Sequence, residues 1–544
     1  MTSSVLEPLR QLTEIGIALS AEKDNERLLE QILESAKALT NADGGTLYLR
    51  TDDDRLRFAI MLTDSLDLRL GGTSGEAVTF APLPLYDARG EPNRSMVAPY
   101  AAVMGRTVNI ADAYQVAEFD FSGTRAFDEN TGYRSKSFLT VPMRNHENDI
   151  IGVLQLINAR DPETGAVGAF SEEDQQLVES LSSQAAVALT NKRLLDAQRR
   201  LFESFIELIA GAIDDKSPYT GGHCRRVPEL TMMLADAAAA TREGPLKDFE
   251  MDEENRYELK IAGWLHDCGK ITTPEYVVDK STKLETIFDR IQMVEARYEI
   301  LKRDAHIRLL EGRLAAQGNG PDTDVARLER GYAEELRALE DERAFLQRCN
   351  IGGEEMSPEC QDRVRRIAER RWRNGDGGES PALTDDEVYN LTIPKGTLTP
   401  EEREVIDHHI VATIRMLESL PYPQYLKNVP EYAVGHHEKM DGTGYPRGLT
   451  RQQMSVQARV MAIADIFEAL TAKDRPYKDG MKLSEALRIM GRMKLANHID
   501  PDLFDVFVHD KVYLRYAQAF LDPAQIDAVD ASAIPGYVPP GQPL

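Results

Sequence analysis

Cysteine is scarce. Cys224, Cys268, Cys349 and Cys360 are the only four in 544 residues, with neither the paired spacing of a zinc site nor the density of a disulfide scaffold. That fits a reducing compartment. Basic charge is short as well: 64 lysines and arginines face 90 aspartates and glutamates, for a net charge of −26. Such a chain lacks the broad positive surface that a nucleic acid polymer or an anionic membrane requires. An anionic substrate would have to meet local positive charge, from metal ions and a few placed side chains. Long apolar runs are missing too: none approaches the roughly 20 residues of a membrane span. The opening MTSSVLEPLRQLTE has no apolar signal-peptide core. The expectation is a cytoplasmic protein that engages neither membrane nor nucleic acid polymer.

The chain is long enough for about three domains of ~150 residues, and at 42% apolar it can build sizeable cores. Leu6, Leu9, Leu12, Ile15 and Leu19 form one helical stripe, and Leu28, Ile32, Ala36 and Leu39 a second. Strands are expected at 44–49, 56–60, 137–143 and 150–158. The last two are joined by a polar hairpin that holds His146, expected in solvent. Ser171-Glu172-Glu173-Asp174 signals a helix start, and the pattern stays helical to Asp214. Along it Leu177, Leu181, Gln184, Val187, Thr190, Leu194, Ala197 and Leu201 step by three and four. That spacing favours a parallel coiled coil with a second helix, hence a homodimer.

A second unit begins near Phe202. Residues 215–222 break the helix, and His223 opens a new one. YELKIAGWLHD, 257–267, reads as a buried helix ending in His266-Asp267. Between about 285 and 395 the character changes. Ile287, Ile291, Val294, Tyr298, Leu301 and Ala305 form a stripe, broken by the turn 317–321, and Val325, Leu328, Tyr332, Leu336 and Leu339 resume it. This predicts an antiparallel helical hairpin, followed by a loop over 374–381. From Thr399, an N-cap followed by Pro400, compact helices return.

The chemistry gathers at helix ends and turns: His223, His266, Asp267, His409, His436, His437 and Asp465. A buried imidazole needs partners for both nitrogens. One or two such residues could be satisfied core histidines; five, with two aspartates, are better explained by metals. Mixed imidazole and carboxylate ligands suit iron or manganese better than a closed zinc site. The stretch HHEKMDGTGYPRGL, 436–449, adds a glycine-rich turn that lets backbone approach a ligand. Its Glu438 and Asp441 are expected to orient the imidazoles.

The first unit resembles a GAF domain, on the hairpin LTVPM…IIGVLQLINA and the helix FSEEDQQLVESLSSQAAVAL. FDENTGYRSKSFLTVPM, from Phe127, is similar to the ligand-facing stretch of GAF domains that bind cyclic nucleotides, although the family's lysine is absent, Asn109 being followed by Ile110. A structural loop over an empty pocket is the alternative there.

The second unit resembles the HD-GYP family. HHExxDGxGYPxGL is matched at every specified position, alongside HCRRV at 223, HDCGK at 266 and DRPYK at 474. The two resemblances together imply a multidomain fold. An N-terminal α+β GAF domain with an antiparallel sheet spans 5–192, and a connecting coiled-coil helix spans 171–214. An all-α HD-GYP domain follows over 202–515, with the inserted helical hairpin at 285–395 and a tail at 516–544. The family also implies two divalent metal ions. His223, His266, Asp267 and Asp465 would hold one, and His409, His436 and His437 the other, with Asp267 bridging. His409 is chosen over His408 on the family's spacing to Met416-Leu417. Some members hold a third ion through a Glu where this chain has Tyr219, so two are expected. Asp267 and Lys270 would be catalytic, and Lys270, Tyr445, Arg447, Arg475 and Lys478 would contact substrate. The activity implied is hydrolysis of cyclic di-GMP to pGpG, with a further step to GMP left open. Hydrolysis of 3′,3′-cyclic GMP-AMP and a catalytically idle dinucleotide-binding module are the alternatives, and a small-molecule ligand on the GAF domain, a cyclic nucleotide by the resemblance, would gate the enzyme.

Overall fold

The computed structural model describes residues 3–22, 24–216, 222–318, 325–353, 355–473 and 480–539. The chain divides into two compact units, Met1–Phe202 and Glu203–Leu544.

The first unit opens with helices α1 (Ser3–Ala21) and α2 (Asn25–Thr40) and strands β1 (Ala42–Arg50), β2 (Arg55–Thr63), β3 (Leu68–Gly71) and β4 (Leu83–Pro84). Helix α3 (Val97–Met104), β5 (Val108–Ile110), α4 (Ser122–Thr131), β6 (Phe138–Arg144), β7 (Ile150–Arg160) and β8 (Val167–Gly168) follow. Among the described residues these strands make one antiparallel sheet in the order β3-β2-β1-β7-β6-β5, with β4 on β2 and β8 on β7. Leu47 of β1 lies between Ile60 and Leu154. Strand β1 is buried along nearly its whole length because both sheet faces are covered. Leu28, Ile32 and Leu33 of α2 pack with Leu47, Leu154 and Leu181 on one face. Ala98, Ala101 and Ala102 of α3 meet Tyr48 and Val153 on the other. His146 is exposed, as expected.

In the stretch similar to a ligand-facing segment, polar side chains hold the fold. Asp128 accepts from Tyr114 Oη at 2.6 Å and from Ser135 N and Oγ at 2.8 Å. The Tyr133 hydroxyl donates to buried Asp43 at 2.5 Å.

Helix α5 (Glu172–Lys216) starts on a reciprocal cap: Asp174 N donates to Ser171 Oγ, and Ser171 N donates to Asp174 Oδ2. Its Val187, Leu194, Leu201 and Leu208, spaced by seven, are 36%, 58%, 59% and 68% exposed.

Among the described residues, the second unit is helical apart from one small hairpin. Helices α6 (His223–Ala240), α7 (Glu253–Leu265) and α8 (Glu275–Val278) lead to α9 (Ile291–Gly318), α10 (Val325–Asn350) and α11 (Pro358–Ala368). Strands β9 (Arg371–Arg373) and β10 (Glu379–Pro381) come next, then α12 (Asp385–Leu391), α13 (Pro400–Glu418), α14 (Val429–Val434) and α15 (Val456–Thr471). Helices α16 (Leu483–Leu495), α17 (Pro501–His509) and α18 (Val512–Phe520) close the unit. The main core joins α6, α7 and α15 through Val227, Leu230, Ile261, Leu265, Ile463 and Phe467. It also takes Tyr516, Ala517 and Ile534 from the stretch read as a tail. A separate core of Val294, Tyr298, Leu339, Leu346, Val364 and Leu391 unites α9 to α12.

Two readings are corrected in that region. Ile287, placed on the α9 stripe, is 97% exposed and precedes the helix; Asp289 accepts from Ile291 N at 2.9 Å and starts the helix later. The expected loop at 374–381 ends in β10, whose Pro381 carbonyl accepts from the Trp372 indole at 3.1 Å. The turn residues 319–321 lie outside the described residues.

The base of this segment is held by two buried lysines. Lys280 donates to both Glu402 oxygens at 2.8 Å and to Asn390 at 3.0 Å. Lys283 donates to the carbonyls of Leu391 and Ile393 at 3.1 and 2.7 Å.

Candidate metal centre

Each site residue is placed by a local device. His223 is the first residue of α6, whose free N-terminal N–H groups need acceptors. Asp214 supplies them, accepting from Gly222 N at 3.0 Å and Cys224 N at 3.2 Å. His266 and Asp267 follow α7, and the chain then tightens into a 3-10 turn over Cys268–Thr272. A Cβ on Gly269 would lie 2.0 Å from the His409 carbonyl. Only glycine lets this turn rest on α13, which brings Asp267 to His409. Helix α13 begins on a capping box between Thr399 and Glu402; its His409 points inward and is buried, whereas His408 is exposed. His436 and His437 occupy a short 3-10 turn after α14. Gly435 there lies against Ala458 of α15, the helix that carries Asp465.

The result is two groups of ligand atoms that share one carboxylate. Asp267, His409, His436 and His437 form one, and His223, His266 and Asp267 the other, with donor atoms in each within 4.8 Å of one another. Asp267 Oδ2 is 3.2 Å from Nε2 of both His223 and His266. Its Oδ1 is 3.3 Å from His409 Nε2 and 4.0 Å from His436 Nε2. Asp465 Oδ1 joins the group of His223 and His266, 3.3 Å from His223 Nε2 and 3.8 Å from His266 Nε2.

The imidazoles are turned so that Nε2 faces inward. Nδ1 of His266, His409 and His436 donates to the carbonyl three residues earlier, of Gly263, Ile406 and Ala433 respectively. His223 Nδ1 meets Glu468 at 2.6 Å, and His437 Nδ1 meets the Tyr445 hydroxyl at 3.0 Å. With Nδ1 carrying the proton, Nε2 presents a lone pair. The inward nitrogens then face each other: His266 Nε2 is 3.3 Å from His223 Nε2, and His437 Nε2 is 3.2 Å from His409 Nε2. Asp267 Oδ1 is buried with no hydrogen-bond donor among the described residues. Nitrogens converging on a buried carboxylate oxygen that lacks a donor make positions that could hold cations, so these residues fit divalent metals.

The protonation pattern agrees. Burial pushes the His223 imidazole down, but the Glu468 carboxylate, then Asp267 and Asp465, hold it well above its ordinary value. A proton on its Nε2 stands where a cation would. Burial, with the neighbouring His437 and His266, drives His436 well below its ordinary value, and burial brings His437 down to about 4. Burial would raise Asp267, yet Lys270 and His266 keep it far below the usual carboxylate range.

Lys270 Nζ is 2.5 Å from Asp267 Oδ2. It lines a cleft of about 220 Å³ together with Asp267, His409, His437 and Tyr445. Arg447 is not brought there: its backbone N–H donates to Glu438 and its guanidinium to Glu418 at 2.6 Å. Tyr219, Arg475 and Lys478 lie outside the described residues. Glu438 and Asp441 do not orient imidazoles. Glu438 accepts from Arg447 N and Leu449 N, and Asp441 from Thr443 N, so both hold the glycine-rich turn. Sequence reasoning missed Glu468 and Asp407. Glu468 lies three residues after Asp465 on one helix face, a spacing that could have revealed it.

The fold and the site define a protein class: an α+β sheet domain joined to a helical domain built around a histidine–aspartate cluster that fits metal ions. A GAF domain model matches residues 24–189, and HD domain models match residues 220–349 and 384–503. The chain is a GAF- and HD-domain protein. It is 41% identical over 113 residues to a cyclic di-GMP phosphodiesterase of Pseudomonas aeruginosa, covering 21% of this chain and 26% of that one. It is 44% identical over 82 residues to the 3′3′-cGAMP-specific phosphodiesterase 1 of Vibrio cholerae, covering 15% of this chain and 19% of that one. The GAF domain of an Acinetobacter phosphoenolpyruvate-protein phosphotransferase aligns in structure over 35% of this chain and 98% of that chain, at 16% identity and a TM-score of 0.26. The chain thus spans about a quarter or less of the length of these two curated relatives. Among the described residues, no helix is long and apolar enough to cross a membrane.

Proposed function

We propose that the protein is a metal-dependent phosphodiesterase that hydrolyses cyclic di-GMP to pGpG. The observation that carries this reading is the pair of ligand groups sharing Asp267. His223, His266, Asp267 and Asp465 would hold one divalent ion, and Asp267, His409, His436 and His437 the other. The mixed ligand set suits iron or manganese. When bound, such ions polarise phosphoryl oxygens and acidify water for in-line attack.

The chain's own residues supply the rest. Asp267 offers one oxygen to each group and fixes their spacing. Lys270 places an ammonium at the cleft, where it can meet a non-bridging phosphate oxygen. At about 220 Å³ the cleft accommodates the reacting phosphodiester rather than a whole dinucleotide, so the bases lie outside it. The ring of Tyr445 forms one wall. Arg475 and Lys478 remain candidates for the second phosphate. The name of the Vibrio cholerae relative makes 3′,3′-cyclic GMP-AMP the second substrate to test.

The GAF domain would bind a small-molecule signal. The heptad-spaced apolar positions on α5 would pair with a second copy of the chain, giving a homodimer.

The experiment is metal analysis of the purified protein, with turnover of both cyclic dinucleotides under reducing conditions. Two ions per chain and release of pGpG are expected. Asp267→Ala should lose both metal and activity; full turnover by that variant overturns the site.

A further inference from the structure

The five imidazoles of the centre are not held alike. Three donate Nδ1–H to a backbone carbonyl within their own turn, and His223 faces the Glu468 carboxylate. His437 alone depends on a neutral side chain, the Tyr445 hydroxyl at 3.0 Å, with the two rings stacked 4.8 Å apart. A hydroxyl can donate or accept, so it does not by itself fix which nitrogen carries the proton. If Tyr445 donated to Nδ1, the proton of His437 would sit on Nε2. That N–H would point at His409 Nε2, 3.2 Å away, and make an ordinary hydrogen bond. The metal position would then be closed by a histidine pair.

Asp407 decides between the two states. The Tyr445 hydroxyl lies 3.2 Å from Asp407 Oδ1 and donates to it. A carboxylate accepts only, and it takes the phenolic proton more strongly than an imidazole does. With that proton committed, the phenolic oxygen can only accept from His437, so the proton stays on Nδ1 and Nε2 stays bare. The geometry points to Asp407 and Tyr445 as positioning residues that hold His437 in the metal-ready tautomer. This rests on the reading of the centre as a metal site. It gives the tyrosine of the glycine-rich turn a role toward the metal ligand, and it gives Asp407, two residues before His409, a reason to be there.

The test is Mn²⁺ titration of the full-length, metal-free chain, following free Mn²⁺ by its electron paramagnetic resonance signal. Wild type should bind two ions. Tyr445→Phe keeps the stacked ring and removes the relay; it should weaken one of the two sites by about 10- to 100-fold and leave the other unchanged. Asp407→Asn, on a half-exposed residue where folding is not at stake, should weaken the same site. If Asp407 acts through Tyr445, the double variant is no weaker than Tyr445→Phe alone; a simple charge effect would instead multiply the two losses. Nitrogen-15 spectra of histidine-labelled, metal-free protein should move His437 from the Nδ1–H form towards Nε2–H in both variants, with His437→Gln identifying the signal. A wild-type chain that binds no Mn²⁺ overturns the metal-centre reading and this inference with it. Two ions in wild type with unchanged Tyr445→Phe affinity, or fully multiplicative losses, overturn this inference alone.

Discussion

Loading the metal centre should release protons unevenly from its two halves. In the ion-free protein the His223 imidazole is held protonated at neutral pH by Glu468, Asp267 and Asp465, against the pull of burial. Its Nδ1 proton is committed to Glu468 at 2.6 Å and stays there. The Nε2 proton, between Asp267 at 3.2 Å and Asp465 at 3.3 Å, occupies the ligand position and must leave. One proton per ion is therefore expected from this half. In the other half burial lowers His436 far and brings His437 to about 4, so both already present bare nitrogens at pH 7. No proton is expected from either of them. The sign follows: below the raised value of His223, affinity of the first half rises about tenfold per pH unit as pH increases, then levels above it. Affinity of the second half should owe no pH dependence to His436 and His437 until pH falls towards 4. Calorimetric Mn²⁺ titrations in buffers of different ionisation enthalpy count the protons directly. Equal release from both binding events, or none from either, would refute the assignment of proton and metal to the same His223 nitrogen.

Three further outcomes are expected. Lys270→Ala should keep its metal but lose on the order of 10²- to 10³-fold in kcat; unaltered kinetics would exclude Lys270 from the reaction. Leu194→Asp combined with Leu201→Asp should halve the mass seen by light scattering, and an unchanged mass would remove α5 as the pairing surface. Lys280→Met takes the cation from Glu402, which keeps only the Thr399 N–H among the described residues, and should destabilise the domain by about 3 kcal/mol. Adding Glu402→Gln, which removes the charge and keeps an acceptor for Thr399 N, should return much of that, and a denaturant titration showing no recovery would rule out the ion pair as the cause.

Much of the centre was legible because its ligands are chemically costly residues at places where packing gives them no purpose. Histidines at the start of α6 and the end of α7, and an aspartate in the apolar run RVMAIADIFEAL, stand out without any structure. The sheet of the first unit was legible from its apolar runs. What escaped is support by residues whose type is common. Asp407 looks like one more acid on a solvent-facing turn of α13, and Glu468 like the polar edge of α15, until the fold turns them towards Tyr445 and His223. Arg447 misled in the opposite direction. An arginine in a glycine-rich turn suggests an anion contact, but its N–H and guanidinium serve two glutamates of the scaffold. Ile287 fitted a helical period that the Asp289 side chain interrupts, a local contest that periodicity alone does not register.

The buried lysines beneath α9 to α12 bear on how this extra module can behave. Swinging α9 to α12 away as a whole would strip Lys280 of the Asn390 amide and Lys283 of the Leu391 carbonyl, leaving two buried ammonium groups short of acceptors. A hinge at that root is therefore costly. Any gate built from this module must bend farther out along its two long helices, leaving the root as still as the helix that presents His409.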